Sequence, residues 1–157
     1  MLFTAAVLIL LVVVLTIHFG LVPVNPADHE RGEVIITDCE GTEKAVVNVR
    51  FADSFGQQYV GLSDTNSLAD DEGMLFTYEE EDHRAFSMRR MDFPLDIIFV
   101  DGDGQITKID SMNEPESVGD HLFQDTSSGT GQYVLEVNKG WAERHGIEET
   151  DCLEVSR

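Results

Sequence analysis

Asp96 and Glu136 stand out because each interrupts a run of apolar residues that reads as a strand. Asp96 lies within Pro94-Leu95-Asp96-Ile97-Ile98-Phe99, and Glu136 within Tyr133-Val134-Leu135-Glu136-Val137. A carboxylate in such surroundings is costly to desolvate unless it is paired. One reading is a two-carboxylate site, for acid–base work or for holding a cation. The other is structural. Strand alternation would point Asp96 outward, opposite Leu95 and Ile97, or each acid would pair with Arg89 or Arg90. Asp96 also follows a proline closely, where side chains form turns and caps. Arg84, Arg89 and Arg90 crowd one short stretch of an acidic chain. The guanidinium fork recognises carboxylate or phosphate in bidentate fashion, and it equally suits internal ion pairs.

The remaining chemistry is thinner. Met74, Met88, Met91 and Met112 with His83 or His121 have the ligand softness for a Cu(I) site, but methionine is also a flexible core filler and no dense Met/His spacing occurs. Asp101-Gly102-Asp103-Gly104 resembles the start of a calcium loop, yet the twelfth position is Met112 rather than an acid, which favours a hairpin turn. No G-x-S-x-G elbow, phosphate loop or dinucleotide fingerprint is present. We therefore expect no cofactor and no metal. Cys39 and Cys152 have no metal-ligand spacing, and each lies in a strand-like stretch near one end of the polar region. They read either as a disulfide closing a long loop or as two unrelated buried thiols.

The elements that would position these residues follow a period of two. Strands are expected over Glu33–Asp38, Lys44–Ala52, Gly73–Tyr78, Arg84–Met88, Leu95–Val100, Gln105–Asp110, Gln132–Val137 and a last stretch through Cys152 to Val155. Asp53 or Ser54 is expected to cap a short helix ended by Gly61, and Asn138 a second one over Trp141, Ala142 and Arg144, ended by Gly146. The acids at 79–82 read as a loop between strands, and the polar segment Asn113–Gly131 as a long loop over one end. This pattern predicts a mainly β fold, a compact antiparallel sandwich or barrel-like domain with one or two short helices.

Composition sets the surroundings. The chain has 157 residues, of which 30 are Asp or Glu and 10 are Lys or Arg, for a net charge of −20. One domain fits this length. Electrostatic binding to nucleic acid is excluded as a reading, because it relies on basic residues displacing counterions from phosphates. Spread along the whole polar region, the acids read as the surface of a halophilic protein, whose self-repulsion molar salt screens. Met1 to Val24 contains no Asp, Glu, Lys or Arg. Some 20 apolar residues at about 1.5 Å each span a hydrocarbon core of roughly 30 Å. With no basic n-region and no clean cleavage site, the segment reads as an uncleaved transmembrane anchor. The expected organisation is an anchor over 1–24, a linker over 25–32 and a β-rich domain over 33–157. The domain is expected outside the cell on a single-pass anchor, with secretion after cleavage as the alternative.

Several fragments, in order, carry a family resemblance: Gly61-Leu62, Gly73-Met74-Leu75-Phe76, Met88, Pro94-Leu95-Asp96-Ile97-Ile98-Phe99, Tyr133-Val134-Leu135-Glu136, and Gly140 before a helix ending at Gly146. Together they resemble the prokaryotic domain of unknown function 192, over about Lys44 to Val155. The resemblance implies a compact β-sandwich-like domain, often behind a signal peptide or anchor, with no established activity. Two places depart from the family pattern. Gly61-Leu62-Ser63-Asp64-Thr65 stands for Gly-Leu-Met-hydrophobic-Arg, and Ser87-Met88-Arg89-Arg90-Met91 for Trp-Met-Lys-Asn-Thr. The matching fragments cluster around the Ser87–Asp96 segment and Glu136. We accordingly expect a small-ligand or protein-binding accessory module with a pocket made by Met88, Arg89, Asp96 and Glu136. Its rival is an enzyme using Asp96 and Glu136 as acid and base. A third reading, a structural partner of another envelope protein, calls for a large exposed apolar patch.

Overall fold

The computed structural model describes residues 28–115 and 126–157. The expected anchor over 1–24 lies outside the described residues, as do the start of the linker and His121. Among the described residues, no helix is long and apolar enough to cross a membrane.

The domain is mainly β. Strands β1 (Arg31–Thr37), β2 (Glu43–Ala52), β3 (Glu72–Ser87), β4 (Leu95–Val100), β5 (Ile106–Met112), β6 (Thr126–Asn138) and β7 (Cys152–Ser156) form a single sheet in the order β5-β4-β6-β3-β2-β1-β7. Among the described residues two short helices accompany it, α1 (Phe55–Val60) and α2 (Trp141–Arg144). Neighbouring strands are antiparallel except β2 and β3, which run parallel. A parallel neighbour requires a crossover connection, and α1 with the segment after it supplies one. Of the sandwich and barrel alternatives, the sheet takes the second, as a half-barrel. Its outermost strands approach at one end, where the Leu153 amide donates to the Gly104 carbonyl (2.7 Å) and the Ile106 amide to the Asp151 carbonyl (2.8 Å).

Three sequence expectations need correction. The acids at 79–82 do not form a loop, because β3 continues through them as one strand to Ser87. Its register against β6 slips between Thr77 and Asp82, an irregularity that absorbs the extra residues. The polar stretch before Gly131 is not all loop, since β6 begins at Thr126 and serves as the partner that keeps β3 extended. Asn138 does not cap α2. The N-cap is Gly140, in the left-handed region at φ 78°, and the Asn138 amide instead donates to the carbonyls of Leu68 and Ala69. At α1 the cap is Ser54, in a reciprocal capping box with Gln57.

The sheet is buried on both faces at its centre, and all six residues of β4 are buried. Val47, Val49, Phe51, Leu75, Ile98, Leu135 and Val137 pack on the concave side with Trp141 and Leu153. Met74, Phe76, Ile97, Phe99 and Val134 pack on the other side, beneath Leu62, Met88 and Met91 from the connecting segments. Met112 belongs to the same second cluster, so the four methionines are core side chains. The Asp101–Gly104 stretch is a hairpin turn in which the Asp101 carboxylate accepts from the amides of Asp103 and Gln105, at 3.0 and 2.8 Å.

Cys39 and Cys152 form a disulfide, with Cα atoms 5.0 Å apart and 113 positions between them in sequence. It joins the turn after β1 to the start of β7, the strand that β1 pairs with at the sheet edge.

Candidate functional site

Strand register decides what the two strand carboxylates can do together. Between β4 and β6, Asp96 faces Val137 while Ile97 faces Glu136. Directly opposed residues share a face and successive residues alternate, so Asp96 and Glu136 project from opposite faces of the sheet. They cannot act as one acid–base or cation-holding pair, and that sequence reading is corrected. Alternation failed as a guide to exposure here because both faces are covered.

Asp96 enters the concave core, where it is 1% exposed. One carboxylate oxygen accepts from the Ser111 hydroxyl at 2.6 Å and the other from the Ala142 amide at 3.1 Å. The second bond satisfies one of the amides that a helix start leaves free, in a helix whose N-cap glycine offers no side chain. Asp96 therefore fastens α2 to β4. Replacing it with alanine is expected to leave the buried Ala142 N–H unpaired and to release the exposed Ser111 hydroxyl to solvent, at a cost of about 2 kcal/mol. A urea midpoint unchanged within error would refute this structural role.

Glu136 enters the opposite face, beside Met74 and Ile97 in the neighbouring strands. It is 6% exposed, and its carboxyl makes no hydrogen bond to another described residue. Burial without a partner pushes its pKa up to about 8, so the group is mostly neutral at pH 7 and can donate a hydrogen bond.

Glu136 lines a cavity of about 250 Å³ between α1, the far end of β3 and the segment after it. The walls combine apolar surface from Leu62, Phe76, Phe86 and Met91 with polar groups from Gln58, Ser87 and Arg89. Gly61 ends α1 at φ 53°, in the positive-φ region, and a Cβ there would stand 3.3 Å from the Phe76 ring. Tyr59 forms part of the rim. Its ring lies 4.8 Å from the Arg89 guanidinium, which also donates to the Tyr59 carbonyl at 3.2 Å. Tyr78, whose pKa burial raises against the partly offsetting charge of Arg84, completes the wall. The Arg84 guanidinium lies 3.9 Å from its ring centroid. None of Arg84, Arg89 and Arg90 has a carboxylate within 4.0 Å among the described residues.

Of the four residues expected to share a pocket, Arg89 and Glu136 line the same cavity. Met88 and Asp96 do not. Met88 is buried in the core beneath, and Asp96 is on the other face. Sequence reasoning missed Tyr59, although a signal existed: Phe55 and Tyr59 are spaced four apart on a short polar helix. They stack with centroids 6.4 Å apart and remain 84% and 65% exposed.

The model of a family described as DUF192, Uncharacterized ACR, matches residues 36–155. A crystal structure of a protein of unknown function from Novosphingobium aromaticivorans is similar at 30% identity and TM-score 0.71, covering 84% of this chain and 89% of that one. A protein from Sinorhizobium meliloti, provisionally described as a transcription regulator, is similar at 27% identity and TM-score 0.72, covering 82% and 96%. No curated protein matches the chain.

Proposed function

The chain belongs to the DUF192 family, and we propose that it is a small-ligand-binding accessory module, tethered outside the cell by its apolar N-terminal segment. The ligand enters the cavity between Glu136 and Arg89. A single observation carries this reading: a buried carboxyl with no partner among the described residues opens onto a cavity whose walls mix apolar and polar side chains. Such a group has a use when a ligand supplies the missing partner. Neutral Glu136 would donate to an oxygen acceptor while Arg89 supplies charge at the rim, so a small apolar carboxylate fits both. The cavity is slightly below the usual range of about 300–1,000 Å³ for ligand sites, which restricts the ligand to a short one. The tether is supported by the charge-free run over 1–24, and the outside location by the disulfide, a bond that oxidising compartments favour.

Short aliphatic and aromatic monocarboxylates, screened by thermal shift on the full chain at pH 6.5, test the site. At least one is expected to raise the melting temperature, with the shift shrinking by pH 9 as Glu136 ionises and repels the ligand. The shift should vanish in Glu136→Leu. If no compound shifts the wild type, or the variant responds equally, the proposal fails.

A further inference from the structure

Arg31 and Arg50 stand directly opposite each other in the β1–β2 register, so their side chains project from the same face. Like charges in that position repel and destabilise the pair. Opposite charge is abundant in this chain, which has 30 acids and 10 bases. Lys44, Lys108, Arg144 and Arg157 each hold a carboxylate within 4.0 Å, yet among the described residues neither Arg31 nor Arg50 does. The two guanidiniums instead line a separate cavity of about 170 Å³ with Thr65, Ser67, Asn48 and Glu72. It shares no lining residue with the cavity at Glu136.

The local bonds narrow the ligand. Nη2 of Arg50 donates to the Thr65 hydroxyl at 3.1 Å, and that hydroxyl donates on to the Asp64 carboxylate at 3.4 Å; among the described residues the guanidinium makes no other side-chain hydrogen bond. The Asn48 amide is occupied, donating to the Asp71 carboxylate at 3.2 Å. Glu72 brings one negative charge and accepts from the Ala69 amide at 3.3 Å, so the lining residues themselves carry two positive charges against one negative, with the Asp64 and Asp71 carboxylates bonded behind Thr65 and Asn48. A cation would add to the repulsion, and a neutral molecule would leave it in place. A planar carboxylate satisfies one fork. A tetrahedral oxyanion offers oxygens to both forks at once and to the Ser67 hydroxyl.

We propose that Arg31 and Arg50, the latter held by Thr65, form with Ser67 a binding site for a phosphate group, either free or carried on a lipid headgroup. The test uses the full chain in a phosphate-free maltoside detergent, titrated calorimetrically with inorganic phosphate at constant ionic strength. Wild type is expected to bind, and Arg31→Gln to bind about 10- to 100-fold more weakly, the size of one lost hydrogen bond to a charged group. Arg31 is exposed and makes no described contact that folding needs, so the variant should fold. Without phosphate its melting temperature should match or exceed the wild type, because the like-charge pair is gone. A second arm places the full chain in bilayers of phosphatidylcholine with or without phosphatidic acid. Should inorganic phosphate fail while phosphatidic acid raises the melting temperature of the wild type but not of Arg31→Gln, the phosphate is a headgroup. Failure of both arms, or equal responses from the two proteins, overturns the proposal.

Discussion

Glu136→Gln is expected to make the protein more stable, by an amount that grows with pH. The folded-state pKa of Glu136 lies at about 8, above the ordinary 4.5, because burial disfavours the ionised form. The folded protein therefore holds a proton that the unfolded chain releases across that interval, and stability falls as pH rises through it. The contribution is intact below about pH 4.5 and fully lost above about pH 8. The complete span corresponds to a loss on the order of 5 kcal/mol, most of it already incurred at pH 7. Glutamine keeps the shape and a hydrogen-bond donor but does not titrate. Near pH 4.5 the two proteins should melt close together, and at pH 8 the variant should melt on the order of 10 °C higher. Parallel pH profiles would mean that Glu136 is already ionised and paired in the folded protein, and the cavity would then lack its neutral donor.

Breaking the disulfide should be comparably costly. Cys39 and Cys152 are 113 positions apart, and in the chain-entropy model closing a loop of about 100 residues contributes about 4.7 kcal/mol. Cys39→Ser/Cys152→Ser, or wild type in reductant, should lose more than about 10 °C of melting temperature. Thiol labelling of cells checks the setting at the same time. A protein found wholly reduced in vivo would exclude the proposed location outside the cell, and a melt insensitive to reductant would show that the β1–β7 edge holds without its covalent link.

Most of the strands, the first helix with its cap narrowed to Asp53 or Ser54, and the hairpin across Asp101–Gly104 were legible from alternation and turn chemistry. The unbroken β3 was not. Four consecutive acids imitate a loop, and only the pairing of β6 with Gly73–Thr77 before them and Asp82–Ser87 after them shows that the strand continues past the irregularity. The candidate site was half legible. An acid within an apolar strand marked both Asp96 and Glu136 as unusual, but sequence carries no register, and one position of stagger between β4 and β6 sent them to opposite faces. The cavity itself depends on where the segments after α1 and β3 fold back over the sheet, and no local pattern in those segments announces that.

The near-closure of the half-barrel bears on how copies of the chain treat each other. A curled sheet has two outer strands, and exposed outer strands are templates for self-association. Here β5 and β7 use part of those edges on each other, through the bonds of Gly104 with Leu153 and Ile106 with Asp151. Along the rest stand Lys108 and Asp110, paired at 3.0 Å, and the exposed Glu154 and Arg157. A second copy seeking to add a strand must either open the seam or bury those charges. The disulfide holds Cys152, which is bridged to Gln105 across the same seam, so oxidation fastens the end of the sheet where the two edges meet. Reduction loosens that fastening, and tendency to polymerise thereby becomes a property of redox state as well as of sequence.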